Sequence, residues 1–332
     1  MTTIKKKFWT QSLLDQFAGL HVLIIGDIMI DRYLYGHVER ISPEAPVPIL
    51  QYDHEECRPG GAANVALNVQ ALGARATVLA AMGSGFYSRM MKNIFVSNGL
   101  NPDYLLAESE RKTTVKTRLS AGGHQLMRID REQTDYISAE TFSSMKNHIE
   151  QIFAGDPPMV VILQDYDKGV LFPEFIDFIL KFSKEKGVPV CVDPKHKHFF
   201  EFKGASLFKP NFKELSQALS KTITKSYQPI SEAVGILDQK LMAENYLITL
   251  SEAGMYYKSK ETDGLAPIDR PVAVADVSGA GDTVISVAAL CTAIGIPLDE
   301  TAQLCNLAAT QVCEKSGVVS VNVIQLIHRD II

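Results

Sequence analysis

Short apolar runs recur along this chain, and a stretch with helical spacing follows each of them. The runs lie at about 21–25, 75–82, 159–163, 188–192 and 245–250. A strand that is apolar at consecutive positions is buried on both faces, as strands in a parallel sheet are. Helices are expected at about 8–18, 62–72, 86–98, 172–186, 211–219, 230–241, 279–294 and 299–314. This alternation is the pattern of an α/β fold, a doubly wound and mostly parallel sheet flanked by helices. Two segments break it. Residues 33–56 carry Pro43, Pro46 and Pro48, with 47–52 as a short edge strand. Residues 112–131 hold two strands, at 113–119 and 125–129, joined across Ala121-Gly122-Gly123. Together they are expected to form a small β-lid, with substrate between lid and body. The 332 residues suit one large α/β domain, 1–332, with lid segments at about 33–56 and 112–131.

Bulk composition excludes some functions. The formal net charge of −5 speaks against a nucleic-acid or membrane-surface partner, since both need a basic face. No apolar run reaches the ~18 residues of a membrane span, and no apolar stretch of a secretory leader follows the N-terminal lysines. The five cysteines are odd in number and form no C-x-x-C pair, which fits buried thiols in a reducing cytoplasm.

Chemistry concentrates in Asp276-Val277-Ser278-Gly279-Ala280-Gly281-Asp282-Thr283. Gly279 and Gly281 allow a sharp turn with uncovered backbone N–H groups, and a helix start follows. Such N–H groups and the positive helix end make a seat for a phosphate. Asp282 at the edge of that seat is repelled by the phosphate itself, yet is well placed to take a proton from a hydroxyl attacking it. The same residues also fit an ordinary strand-to-helix turn with an acid in its first turn. Other polar groups fall at strand ends, where ligands of open α/β sheets collect. These are Asp27 and Asp31, the pair Gly60-Gly61 with Asn64, Asp165 and Lys168, Asp193 and Lys195, Asn211 and Glu214, and Ser251, Glu252 and Gly254. No G-x-x-x-x-G-K-[ST] loop is present, so a Walker-type kinase is excluded.

The late Gly-Ala-Gly-Asp signature and the early Gly60-Gly61-Ala62-Ala63-Asn64 run resemble the ribokinase (PfkB-type) family of carbohydrate kinases, over about 20–320. The resemblance implies a ribokinase-like fold. It implies Asp282 as the base, with Gly279, Ala280 and Gly281 stabilising the γ-phosphoryl group in transfer. Asn211 and Glu214 match the family's N-x-x-E motif, which organises Mg²⁺, often through water. Asp27, Asp31, Gly60, Gly61 and Asn64 become sugar-side residues, and Ser251, Glu252, Gly254 and Asn306 nucleotide-side residues. ATP and Mg²⁺ are the implied cofactors, with a monovalent cation as an optional addition.

A narrower resemblance lies in Gly26-Asp27-Ile28-Met29-Ile30-Asp31-Arg32-Tyr33 and Ser42-Pro43-Glu44-Ala45-Pro46-Val47-Pro48. Both look like the branch that phosphorylates C1 of D-glycero-β-D-manno-heptose 7-phosphate for ADP-heptose and lipopolysaccharide core synthesis. Asp165-Tyr166-Asp167-Lys168-Gly169 is similar to that branch's Asp-Tyr-Gly-Lys-Gly, with Asp167 replacing glycine. A 7-phosphate needs cations, and Arg118, Arg128, Lys168 and Lys195 are the expected ones. The lid arginines read equally well as solvated edge charges. The resemblance further implies a cytoplasmic homodimer paired through the lid. With the chain ending at Ile332, it also implies a kinase working with a separate nucleotidyltransferase. The alternatives are another sugar or sugar-phosphate kinase of the family, and a catalytically silent sugar-phosphate sensor.

Overall fold

The structure is a computed structural model that describes residues 8–268 and 272–329. Helix α1 (Gln11–Ala18) starts under a Thr10 cap and leads into β1 (His21–Gly26). Strands β2 (Ile28–Ile41) and β3 (Pro48–Gly61) follow, then α2 (Ala62–Ala71), β4 (Arg75–Gly83), α3 (Phe86–Ser97) and β5 (Leu105–Glu108). Next come β6 (Thr114–Ala121), β7 (His124–Arg131), α4 (Ala139–Gly155), β8 (Val160–Gln164), α5 (Pro173–Glu185), β9 (Val190–Asp193) and β10 (Leu207–Phe208). The chain continues through α6 (Phe212–Ala218), α7 (Tyr227–Leu241), β11 (Tyr246–Thr249), a 3-10 turn (Ser251–Ala253), β12 (Met255–Lys258) and β13 (Asp263–Ala266). It closes with α8 (Ala280–Ala293), α9 (Leu298–Cys313) and α10 (Val323–Arg329).

Among the described residues one sheet runs β13-β12-β11-β10-β9-β8-β1-β4-β5. It is parallel from β11 to β5, and β12 and β13 add antiparallel strands at one edge. The consecutive apolar residues of β1 serve both faces. Val22 and Ile24 pack with α1, α2, α8 and α9, while Leu23 and Ile25 pack with α4, α5 and α7. The doubly wound expectation therefore holds. From β1 the chain winds outward to β4 and β5, then returns to β8 on the other side. The switch point lies between β1 and β8, where the carboxyl ends open a crevice.

The second sheet, β3-β2-β6-β7, departs from expectation in extent. The sequence shows an edge strand at 47–52 and a hairpin at 113–119 and 125–129. The structure gives a β2–β3 hairpin with 14 residues in each strand, and β2 also pairs in parallel with β6. Charged residues on both faces of β2 hide its period. Pro59-Gly60-Gly61 ends edge strand β3, where Pro59 lies opposite Ile30, and also opens the expected helix, since Gly61 is the N-cap of α2. Residues 272–275, which precede the Gly-Ala-Gly-Asp turn, are loop, and Pro271 lies outside the described residues.

Candidate active site

Four neighbouring strands of the large sheet end in one polar cluster. β1 stops before Asp27, β8 ends in Gln164, β9 ends in Asp193, and Lys209 follows β10. Helix α8 packs on β8 and β9 with Asp282 in its first turn. Asp282 is 3% exposed. Its Oδ2 accepts Asn64 Nδ2 at 2.7 Å, and its Oδ1 accepts the Tyr166 hydroxyl at 2.8 Å and Gln164 Nε2 at 3.2 Å. Burial pushes the Asp282 carboxyl up to about 6. The Asn64 and Tyr166 donors and the Lys209 charge hold it down, and the Asp193 charge raises it. A carboxyl tuned to that range is ionised at neutral pH and still basic enough to take a proton.

Beside it lies an uncovered helix start. Gly279, at φ 82°, occupies the N-cap position and offers no side-chain cap. The N–H groups of Gly281 and Asp282 fall in the turn that has no intrahelical partners. A Cβ at Gly281 would sit 3.8 Å from both Lys209 Nζ and Asp193 Oδ2, so the Lys209 ammonium adjoins this seat. Lys209 is itself held by Asp193 Oδ1 at 3.0 Å. The turn, the helix end and one buried lysine together suit a phosphoryl group, with Asp282 at its edge.

Other expected residues have more local tasks. Asp27 accepts N–H groups from Tyr166 at 2.9 Å, Lys168 at 3.0 Å and Val170 at 3.2 Å, so its carboxylate ties down the 165–170 loop. Gly60 lacks a Cβ because one would collide with Asp31 Oδ2, and Gly61, at φ 62°, because one would strike the Asp27 carbonyl oxygen. The glycine pair thus lets β3 close onto β2. Asp31 takes the Arg118 guanidinium at 2.5 Å, and Arg118 and Arg58 each lie 5.1 Å from the Tyr33 ring centre. Asp167 stands at φ 55°, a left-handed conformation that Asp adopts more readily than most residues.

Each expected phosphate-binding cation has an acidic partner. Arg118 pairs with Asp31, Arg128 with Asp130 at 2.9 Å, Lys168 with Glu132 at 3.1 Å, and Lys195 with Glu214. Arg118 and Arg128 are direct cross-strand neighbours. Lys195 is separate from them. It joins the N-x-x-E pair and lies 5.2 Å from the Tyr166 ring centre. Burial alone lowers the Lys195 ammonium, but Asp193 and Glu214 more than reverse this.

Asn211 and Glu214 form a capping box on α6. Asn211 Oδ1 accepts the Glu214 N–H at 2.9 Å, and Glu214 Oε2 accepts the Asn211 N–H at 2.8 Å. The other Glu214 oxygen holds Lys195. Among the described residues no group of three or more His, Cys, Asp or Glu side chains is placed to hold a metal ion. Both Glu214 oxygens and Asn211 Oδ1 are already engaged, by Lys195 and by the capping box itself. On the expected nucleotide side, Gly254 and Asn306 converge on Ala266. A Cβ at Gly254 would strike the Ala266 carbonyl oxygen, and Asn306 Nδ2 donates to that oxygen at 2.8 Å. Ser251 opens the intervening turn at φ 58°. Glu252 stands apart, exposed and paired with Lys225 at 2.8 Å.

Sequence reading passed over Gln164, Tyr166 and Lys209. Gln164 is a polar residue ending a buried strand, and the expected strand stopped one residue short of it. Lys209 directly precedes Pro210-Asn211, so its place before the N-x-x-E motif was the available signal.

The chain belongs to the pfkB family of carbohydrate kinases, whose family model matches residues 20–324. Its curated relatives include the "Bifunctional protein HldE" of Caulobacter vibrioides, 38% identical over 301 residues, which are 91% of this chain and 61% of the relative. The "Bifunctional protein HldE" of Vibrio cholerae serotype O1 is 39% identical over 319 residues, 95% of this chain and 64% of the relative. The chain thus spans less than two thirds of these relatives' length. In fold it is similar to phosphofructokinase-2 from Escherichia coli in complex with potassium, with a TM-score of 0.76 and 17% identity over 94% of this chain and 99% of that one. It is also similar to Arabidopsis thaliana ribokinase complexed with ribose and ATP, with a TM-score of 0.72 and 18% identity over 93% and 98% of the two chains. These likenesses establish the ribokinase-like α/β fold. No helix among the described residues is long and apolar enough to cross a membrane.

Proposed function

We propose that this carbohydrate kinase transfers the γ-phosphoryl group of ATP to the C1 hydroxyl of D-glycero-β-D-manno-heptose 7-phosphate. The observation that carries the reading is Asp282, a buried carboxyl pushed up to about 6 beside an uncovered helix start. Asp282 takes the proton from the C1 hydroxyl as that oxygen bonds to phosphorus, and the bond from phosphorus to the ADP oxygen breaks. The N–H groups of Gly279, Gly281 and Asp282, together with Lys209, hold the charge on the group in transfer, while the Ala280 N–H is turned to the Val277 carbonyl oxygen at 3.3 Å. An anomeric hydroxyl is more acidic than an ordinary alcohol, which suits a carboxylate base. Asn211 and Glu214 would hold Mg²⁺ through water, and the ion would offset charge on the nucleotide phosphates.

The choice of acceptor is supported by the 26–33 and 42–48 segments and by the 38% and 39% identities to the HldE proteins. Arg118, with Arg128 across the strand pair, is the candidate for the 7-phosphate. Lys195 belongs with the transfer point, because its partner is Glu214. The second sheet acts as the lid of a single 1–332 kinase unit. Its exposed Met127 and Ile129 suit a homodimer contact. The relatives' name assigns two functions to one chain, so a second activity is fused in those proteins, and a separate nucleotidyltransferase gains no support from them.

The test is ADP release from Mg·ATP by the purified chain with heptose 7-phosphate, unphosphorylated heptose, ribose, fructose and fructose 6-phosphate. The heptose phosphate should give the highest kcat/KM. A neutral pentose or hexose that outperforms it contradicts the assigned acceptor.

A further inference from the structure

We propose that Tyr166 is a positioning residue whose hydroxyl holds the Asp282 carboxylate so that Oδ2, rather than Oδ1, faces the acceptor hydroxyl. The inference rests on the reading of Asp282 as the base. Each carboxylate oxygen offers two in-plane acceptor directions. Both directions of Oδ1 are taken, by the Tyr166 hydroxyl at 2.8 Å and by Gln164 Nε2 at 3.2 Å. Oδ2 has one donor, Asn64 Nδ2 at 2.7 Å, and therefore keeps one direction free. A general base must reach its proton within hydrogen-bond distance along such a free direction.

Gln164 does not replace Tyr166 in this task. Its Nε2 is shared between Asp282 Oδ1 and Asp193 Oδ2, each at 3.2 Å, so two acceptor-only carboxylates fix its orientation. Its buried Oε1 meets no partner. Tyr166 is the shorter bond and always a donor, because burial and the Asp282 charge hold its phenol well above the usual range.

The arm that delivers this hydroxyl is fixed at its root. The Tyr166 N–H donates to Asp27 Oδ2 at 2.9 Å, and the same carboxylate takes the N–H groups of Lys168 and Val170. The ring lies beneath the Lys195 ammonium, 5.2 Å from its centre. Asp27 thus acts on Asp282 through Tyr166, which accounts for a buried acid at the first strand end that offers little to a sugar. The other charged groups around Asp282 are Asp193 at the end of β9, Lys195 in the loop after β9 and Lys209 after β10. Their charges remain when the phenol hydroxyl is removed.

Tyr166→Phe in the full chain keeps the ring and deletes one donor to Oδ1. The readout is the ¹³C carboxyl titration of Asp282, assigned by its loss in Asp282→Asn. The midpoint should rise by roughly one pH unit, because a donor to the charged form is lost. The acid limb of kcat/KM for heptose 7-phosphate should move with it. Incorporating 3,5-difluorotyrosine at 166, a more acidic and stronger donor, should move the midpoint down, and this arm serves if the phenylalanine variant does not fold. An unchanged carboxyl titration in either protein overturns the proposal. The titration needs no substrate, so it stands apart from a failed acceptor assignment, which would show as absent turnover in the unaltered enzyme.

Discussion

Asn64 and Asp282 are 218 residues apart in the chain, and their side chains meet at 2.7 Å. Asn64 sits in the first turn of α2, just after the Gly60-Gly61 closure, and Asp282 in the first turn of α8. The two glycine motifs therefore build one site from opposite ends of the chain. Asn64 steadies the charged form of Asp282. Replacing Asn64 with Ala should cut kcat by roughly tenfold to a hundredfold while the fold survives, and raise the acid limb of the pH profile. Steady-state kinetics across pH 5 to 9 checks this, and an unchanged limb would mean the bond does not bear on the base.

Glycines 279 and 281 should differ in kind. At Gly279 the backbone is at φ 82°, and a Cβ would lie 2.9 Å from Asn64 Nδ2. Gly279→Ala should cost about 1–3 kcal/mol of stability and disturb the Asn64–Asp282 bond. At Gly281 a Cβ meets only Asp193 and Lys209, at 3.8 Å, an ordinary contact. Gly281→Ala should therefore fold at least as well, since alanine gains up to about 1 kcal/mol in a helix, yet lose activity because the methyl covers the phosphate seat. Thermal melts beside ADP-release assays separate the two. A fully active Gly281→Ala enzyme would move the phosphoryl group elsewhere.

Much of this architecture is legible in the sequence. β1 and β8 announce themselves because strands buried on both faces are apolar at every position. The Gly-Ala-Gly-Asp turn is legible because its chemistry depends on backbone geometry that only certain residues permit. The long strands of the second sheet are not. Arg32, Glu55 and Arg118 are satisfied by cross-strand partners, which no single segment reveals. The structural partners of Asp27 are hidden for a related reason. A buried acid at a strand end looks the same in sequence whether it meets a sugar hydroxyl or the N–H groups of a loop 139 residues away.

The base should leave its mark on stability. The folded Asp282 carboxyl titrates at about 6, above its ordinary 3.8. The folded state therefore binds more protons than the unfolded state between those values, and stability falls as pH rises through that window. The full penalty, of order 3 kcal/mol at most, applies above pH 6. Asp282→Asn should thus gain stability relative to the unaltered protein as pH goes from 4 to 8. Denaturation curves at the two pH values check this, and a pH-independent difference would contradict the shifted carboxyl.

Arg118, paired with Asp31, is the proposed cation for the distal phosphate. Arg118→Ala should raise KM for a phosphorylated sugar by roughly tenfold or more, with a smaller effect on an unphosphorylated one. Arg118→Lys should recover only part of the loss, because it lacks the planar fork. Equal effects on both sugars would assign Arg118 to holding Asp31 instead.

The most direct test of the central claim is the rate of sugar-dependent ADP formation by Asp282→Asn against the unaltered enzyme, with heptose 7-phosphate and Mg·ATP both saturating. With Asp282 as the base, the rate falls by roughly a hundredfold or more while the sugar still binds. Equal rates in the two proteins would remove Asp282 from the chemistry.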